Sequence, residues 1–292
     1  MASRHSPIIP CRLLPETKAR IDAYVEALRE SAPSIGQHGL NPQEFRDSGI
    51  FRSAVEQIRG TQAASMTDKR AFMADVLNYL QQVGLIREWE FTGAGDRHDY
   101  QIIMPSGCIS VVEAKGCLDG NNTTIFERPA QADEFIIWSL CQNPGSDPAH
   151  NAWSGIHTRL SADIIHRRQR VDGVVIWDMV CGTVGRPCPK LQADPARATL
   201  IGANRSVPPP CFYLFPRSIP DPRNNPTPAV WQLAEVQLVH ALWKGLKGNA
   251  ADIVEVGIEA RIEAVDVQRR TRFLRAGAEI CTSQWTTVRR AR

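Results

Sequence analysis

One cluster limits what this chain can fold into more than any other. Asp96-Arg97-His98-Asp99-Tyr100-Gln101-Ile102-Ile103-Met104 runs into Pro105-Ser106-Gly107, then Cys108-Ile109-Ser110-Val111-Val112-Glu113-Ala114-Lys115-Gly116. Val, Ile and Tyr dominate both arms, and a Pro-Ser-Gly turn separates them, so the segment reads as a β-hairpin. A three-residue loop sets Met104 opposite Cys108 and therefore Asp99 opposite Glu113. Alternation then puts Glu113 and Lys115 on the face that Asp99 shares. Opposed Cβ atoms lie roughly 4.5–5.5 Å apart and diagonal ones roughly 7–8 Å apart. A two-residue loop would instead pair Asp99 with Ala114 and scatter the three charges. The spacing thus predicts two carboxylates and an ammonium converging on one sheet face. Charges are costly on an apolar sheet without a ligand.

The remaining elements follow from periodicity and punctuation. Helices are expected at 15–30, 42–59 and 67–83, with Asn41 and Thr67 as caps and Gly84 as a stop. A strand is expected over 85–91. Arg128-Pro129 is expected to open a helix through Phe135, Ile136, Trp138 and Leu140, and a further helix is expected at 153–168. The apolar run 171–180 reads as a strand buried on both faces. The Pro- and Gly-rich stretch 182–226 reads as loops around a short strand at 211–215. A helix at 228–247 and a strand or hairpin over 252–274 complete the reading. The order implies an α/β fold with a mixed central β-sheet flanked by helices. It also implies a single domain over 1–292, with a helical part at 1–84 and a core at 85–180.

Composition narrows the class. Hydrophobic residues make up 43% and charged residues 22%, which excludes a disordered chain. No apolar run approaches the roughly 20 residues of a membrane span, and Met1 to Arg12 lacks a signal-peptide pattern. A cytoplasmic location is the expectation. Of the 34 basic residues only 6 are lysines. Arginine forks onto phosphate, although a GC-rich coding sequence has the same effect on composition. Two basic stretches could track a nucleic-acid backbone: His166-Arg167-Arg168-Gln169-Arg170, and the arginines between Arg261 and Arg292. The eight cysteines lack CxxC spacing. Cys181, Cys188 and Cys211 form an incomplete metal-ligand set, and buried thiols are the default.

Asp99 followed by Glu113-Ala114-Lys115 on the next strand resembles the PD-(D/E)xK nuclease superfamily, with His98 where proline usually stands. The stretch Leu118-Asp119-Gly120-Asn121-Asn122 and Ile125-Phe126-Glu127-Arg128-Pro129 looks like that of some type II restriction endonucleases. A second acid-x-lysine triplet, Glu16-Thr17-Lys18, sits on an expected helix with no acidic strand before it and is set aside. The resemblance covers about 50 residues and implies a restriction-endonuclease-like fold. It implies Asp99, Glu113 and Lys115 as catalytic residues. Asp99, Glu113 and the Ala114 carbonyl would hold Mg²⁺, with Mn²⁺ a substitute. It further implies double-stranded DNA as substrate, a homodimer and a cognate methyltransferase. Asn121, Asn122, Arg128, Arg167, Arg168 and Arg170 are the candidate DNA contacts. Asp96, Asp75, Gln131, Asp133 and Glu134 are weaker candidates. The competing readings are a repair or recombination nuclease and a non-catalytic DNA-binding protein on a degenerate nuclease fold.

Overall fold

A computed structural model describes residues 8–11, 13–36, 38–55, 66–93, 98–116, 128–142, 148–183 and 186–288. Its centre is a ten-stranded mixed sheet. Nine strands lie on one path: β1 (Glu88–Phe91), β2 (Tyr100–Ile103), β3 (Ile109–Lys115), β4 (Glu134–Cys141), β5 (Gly173–Asp178), β8 (Cys211–Leu214), β9 (Ile253–Glu263), β10 (Asp266–Arg275) and β11 (Ala278–Thr282). The short β12 (Thr286–Thr287) pairs with β10, and β6 (Thr199–Ile201) pairs with β7 (Arg205–Val207) in a separate ribbon. Contacts β3–β4, β4–β5 and β8–β9 are parallel, and the others on the path are antiparallel. The chain is therefore mixed α/β, with helices against the central sheet.

Helices α1 (Pro15–Ser31), α2 (Pro42–Ser48) and α3 (Met66–Gln82) precede the sheet, and residues 50–55 are also helical. Asn41 caps α2 by accepting from the Gln43 and Glu44 amides, and Glu44 returns the bond. Gly49, at φ +69°, breaks the expected helix over 42–59: α2 stops there and the chain is helical again over 50–55. No residue of α1 is buried, so its Ala-rich face does not pack in the core. By contrast, Phe72, Met73, Val76, Leu77 and Leu80 of α3 are fully buried against one side of the sheet. The other helix on that side, α7 (Gln237–Gly245), buries Leu238, Val239 and Leu242. It is shorter than the expected helix over 228–247. The opposite side is covered by α4 (Pro148–Ser154), a π-helical turn, and α5 (Ser161–Arg167), together with Ile8, Ile9 and Cys11.

The segment after Arg128-Pro129 corrects the expectation of a helix. Residues 134–141 form β4, parallel to both β3 and β5, and all eight are buried. Phe135 and Ile137 enter one core layer; Ile136, Trp138 and Leu140 enter the other. An apolar run of this length is ambiguous by periodicity, and burial on both faces selects the strand. Glu134, read as an acid near the start of that helix, caps a different one. Its carboxylate accepts from the Gln237 and Leu238 amides at the start of α7 (2.5 and 3.1 Å) and from Ser110 Oγ (2.7 Å). The expected hairpin in the tail is present as β9 and β10, paired over nine positions.

Candidate active site

The β2–β3 hairpin adopts the three-residue loop. Met104 N donates to Cys108 O and Gly107 N to Met104 O, both at 2.9 Å. The pairs run from Ile103↔Ile109 to Tyr100↔Val112. The next rung would join the Ala114 amide to the His98 carbonyl. Instead the Ala114 N–H donates to Asp99 Oδ2 at 2.8 Å, and the His98 carbonyl accepts from Thr92 Oγ1 at 2.6 Å. The chain thus leaves β2 at Asp99, and the Asp99 carboxylate takes the place of a backbone acceptor. This fixes Asp99 against the strand that carries Glu113 and Lys115.

Strand β3 is interior, with β2 on one side and β4 on the other. The Glu113 side chain is only 6% exposed and that of Lys115 17%, with Nζ to Oε1 at 2.5 Å. They are not a solvated pair at a sheet edge. Burial raises the Glu113 carboxyl above its ordinary range, Lys115 opposes that shift, and the charge of Asp99 adds to it. Two carboxylates near enough to repel, with one ammonium between their demands, are what a hard cation relieves. The donors are carboxylate oxygens, the ligand type a Mg²⁺-type ion prefers, so the residues present fit such an ion. Nearby, burial pushes the Tyr100 phenol up to about 12, with Asp99 adding to the shift and Arg70 opposing it.

Two further cations emerge that the sequence pattern did not single out. Lys69, Arg70 and Met73 of α3 line a small cleft together with Asp99, Lys115 and Gly116. Lys69 Nζ lies 3.3 Å from where a Cβ on Gly116 would stand. The Arg70 guanidinium sits 4.6 Å over the Phe91 ring. Their only sequence signal is a Lys-Arg pair one turn ahead of the apolar stripe of α3. His98 is buried, and neither ring nitrogen has a hydrogen-bond partner among the described residues.

The other candidates are dispersed. Asn121, Asn122 and Asp96 lie outside the described residues. Arg128 points inward: Nε donates to Ala132 O (2.8 Å), Nη1 to Asp172 Oδ2 (3.2 Å) and Nη2 to Asp133 O. Arg170 pairs with Asp172 Oδ1 at 2.9 Å and lies over Trp231. Arg167 faces Asp163 one turn back at 3.6 Å. Arg168, at φ +53°, terminates α5 in a left-handed conformation. Asp75 pairs with Arg205 beside the β6–β7 ribbon rather than with the cleft, and Asp133 accepts from the Ile109 amide. The arginines of β9 and β10 are largely neutralised. Arg270 and Arg272 share Glu259, Arg272 also holds Glu279, and Arg261 holds Glu263. Glu16-x-Lys18 lies on α1, where Lys18 pairs with Asp22.

Comparison of the chain with protein-family models, with curated proteins and with solved structures returned no match. Among the described residues, no helix is long and apolar enough to cross a membrane.

Proposed function

We propose that this chain is a Mg²⁺-dependent endonuclease that hydrolyses phosphodiester bonds in double-stranded DNA, in the manner of a type II restriction enzyme. The supporting observation is the convergence of buried Glu113 with half-buried Asp99 and Lys115 at one end of an interior strand. Asp99, Glu113 and the Ala114 carbonyl would hold Mg²⁺, with Mn²⁺ a substitute. When bound, the ion supplies Lewis-acid polarisation of the phosphate and a water of lowered pKa. The protein's own residues do the rest. The Ala114 amide holds Asp99 in place. Glu113 keeps the Lys115 ammonium at the site. That ammonium would orient the attacking water and offset the negative charge growing on the phosphate. Lys69 and Arg70 would meet the flanking phosphates, as cations beside a nuclease cleft do.

A homodimer reading a two-fold-symmetric site, a cognate methyltransferase and a cytoplasmic setting complete the proposal. The test is incubation of plasmid DNA with Mg²⁺ or with EDTA. Discrete fragments only with Mg²⁺ are expected, and a smear would indicate a non-specific nuclease. Glu113→Ala and Lys115→Ala should each lower cleavage by about 10²-fold or more. Full cleavage by either variant would refute the site.

A further inference from the structure

At the end of β5, three cysteines from three segments meet. Cys11 lies in the N-terminal stretch, Cys181 follows β5, and Cys188 precedes α6 (Pro189–Ala193). Their sulfurs all lie within 4.8 Å of one another, and Cys11 and Cys181 Sγ are 3.1 Å apart. The expected trio of Cys181, Cys188 and Cys211 is thus rearranged, because Cys11, 170 positions from Cys181, completes it. Sulfurs around a tetrahedral zinc ion stand about 3.8 Å apart, given a Zn–S bond of about 2.3 Å. The Cys11–Cys181 separation is shorter than that value, and all three sulfurs lie within 4.8 Å of one another, close enough to share one ion.

The surroundings are those of a built site. Cys11 is 5% and Cys188 2% exposed. Cys181 and Cys188 are brought together by a tight turn: Gly182 N donates to Arg186 O (2.8 Å) and Arg186 N to Thr183 O (3.1 Å). Cys11, Cys181 and Cys188 all line one small cavity. Cys211 and the buried Lys190 line the same small cavity. The Lys190 ammonium donates to Pro209 O and Pro210 O and pairs with Asp252 at 2.9 Å, which sets a positive charge close to the sulfurs.

We propose that Cys11, Cys181 and Cys188 bind a single zinc ion that ties the N-terminal segment to the far end of β5, with Cys211 or water in the fourth position. Zinc is the borderline-soft ion such thiolates select, whereas Mg²⁺ prefers the oxygens of the cleft. The site is independent of the nuclease reading, since it shares no residue with the cleft.

The test is elemental analysis of the full chain, purified with reductant and zinc and then desalted. About one zinc per chain is expected, released by a mercurial reagent. Replacement by Co²⁺ should give thiolate-to-metal charge-transfer absorption and tetrahedral visible bands. Cys181→Ser and Cys188→Ser should weaken zinc binding by more than the roughly 10–100-fold that follows loss of a ligand's hydrogen-bond partner. Cys108→Ser, in the hairpin turn, should leave it unchanged. The proposal is overturned by a wild-type chain that stays metal-free after reconstitution, or by cobalt bound without charge-transfer absorption. A Cys11–Cys181 disulfide in the metal-free protein, seen by non-reducing mass spectrometry, would overturn it too. The wild-type measurements decide the matter even where a serine variant fails to fold.

Discussion

Replacing Asp172 with alanine should destabilise this protein by about 3–5 kcal/mol. The Asp172 side chain is 2% exposed, and four donors converge on it. These are Arg128 Nη1 (3.2 Å), Arg170 Nε (2.9 Å), the Phe135 amide (2.9 Å) and Trp231 Nε1 (3.1 Å). Arg128 is itself 18% exposed, so losing the carboxylate leaves a mostly buried guanidinium uncompensated, at about 3–5 kcal/mol. The Phe135 amide, at the start of β4, would lose its acceptor, at about 1–3 kcal/mol. Arg170 is more than a third exposed, and its pair is worth under about 1 kcal/mol. These contributions share one carboxylate and do not add, so the largest sets the estimate.

Urea denaturation reads the change as a lower midpoint at an unchanged slope. Asp172→Asn should lose less, because its side-chain oxygen still accepts from Phe135. Arg170→Ala should stay within about 1 kcal/mol of wild type. A loss below about 1 kcal/mol for Asp172→Ala would refute the reasoning. Arg128→Ala separates two roles for that residue. As a partner of Asp172 it should cost stability. If instead it left stability intact while abolishing DNA retention, Arg128 would be a phosphate contact.

Two further outcomes are expected. Burial raises the Glu113 carboxyl, so between its ordinary and raised values the folded chain holds a proton that the unfolded chain releases. Stability therefore falls as pH rises through that window and is level above it. Glu113→Gln should accordingly match or exceed wild type in melting temperature at about pH 8 in EDTA, while Mg²⁺ stabilises only the wild type; a lower melting temperature for the variant would count against this account. Gly245→Ala should cost about 1–3 kcal/mol by overpacking, since its Cβ would stand 2.6 Å from Leu80 and 2.9 Å from Leu85. Thermal melts that superpose for the two proteins would contradict that packing.

Local pattern determined what local pattern can. The length of the Pro105–Gly107 loop set the register of β2 and β3 as far as Tyr100 and Val112, and the bond from the Ala114 amide to the Asp99 carboxylate then placed Asp99. The 3.6-residue stripe of Phe72, Val76, Leu77 and Leu80 defined α3, and the apolar run at 171–180 contained β5 (Gly173–Asp178). Tertiary structure decided the rest. The residues 134–141 could have been helix or strand, and only two apolar layers, one on each face, made them β4. Arg128 and Arg170 both pair with Asp172, a shared partner that the local sequence did not show. Lys69 and Arg70 reached the cleft because α3 packs beside β3, and Cys11 reached Cys181 across 170 positions. Turn length and side-chain period act over a few residues and leave their mark in sequence. Pairings between distant segments depend on how the sheet is ordered and covered, which no local pattern encodes.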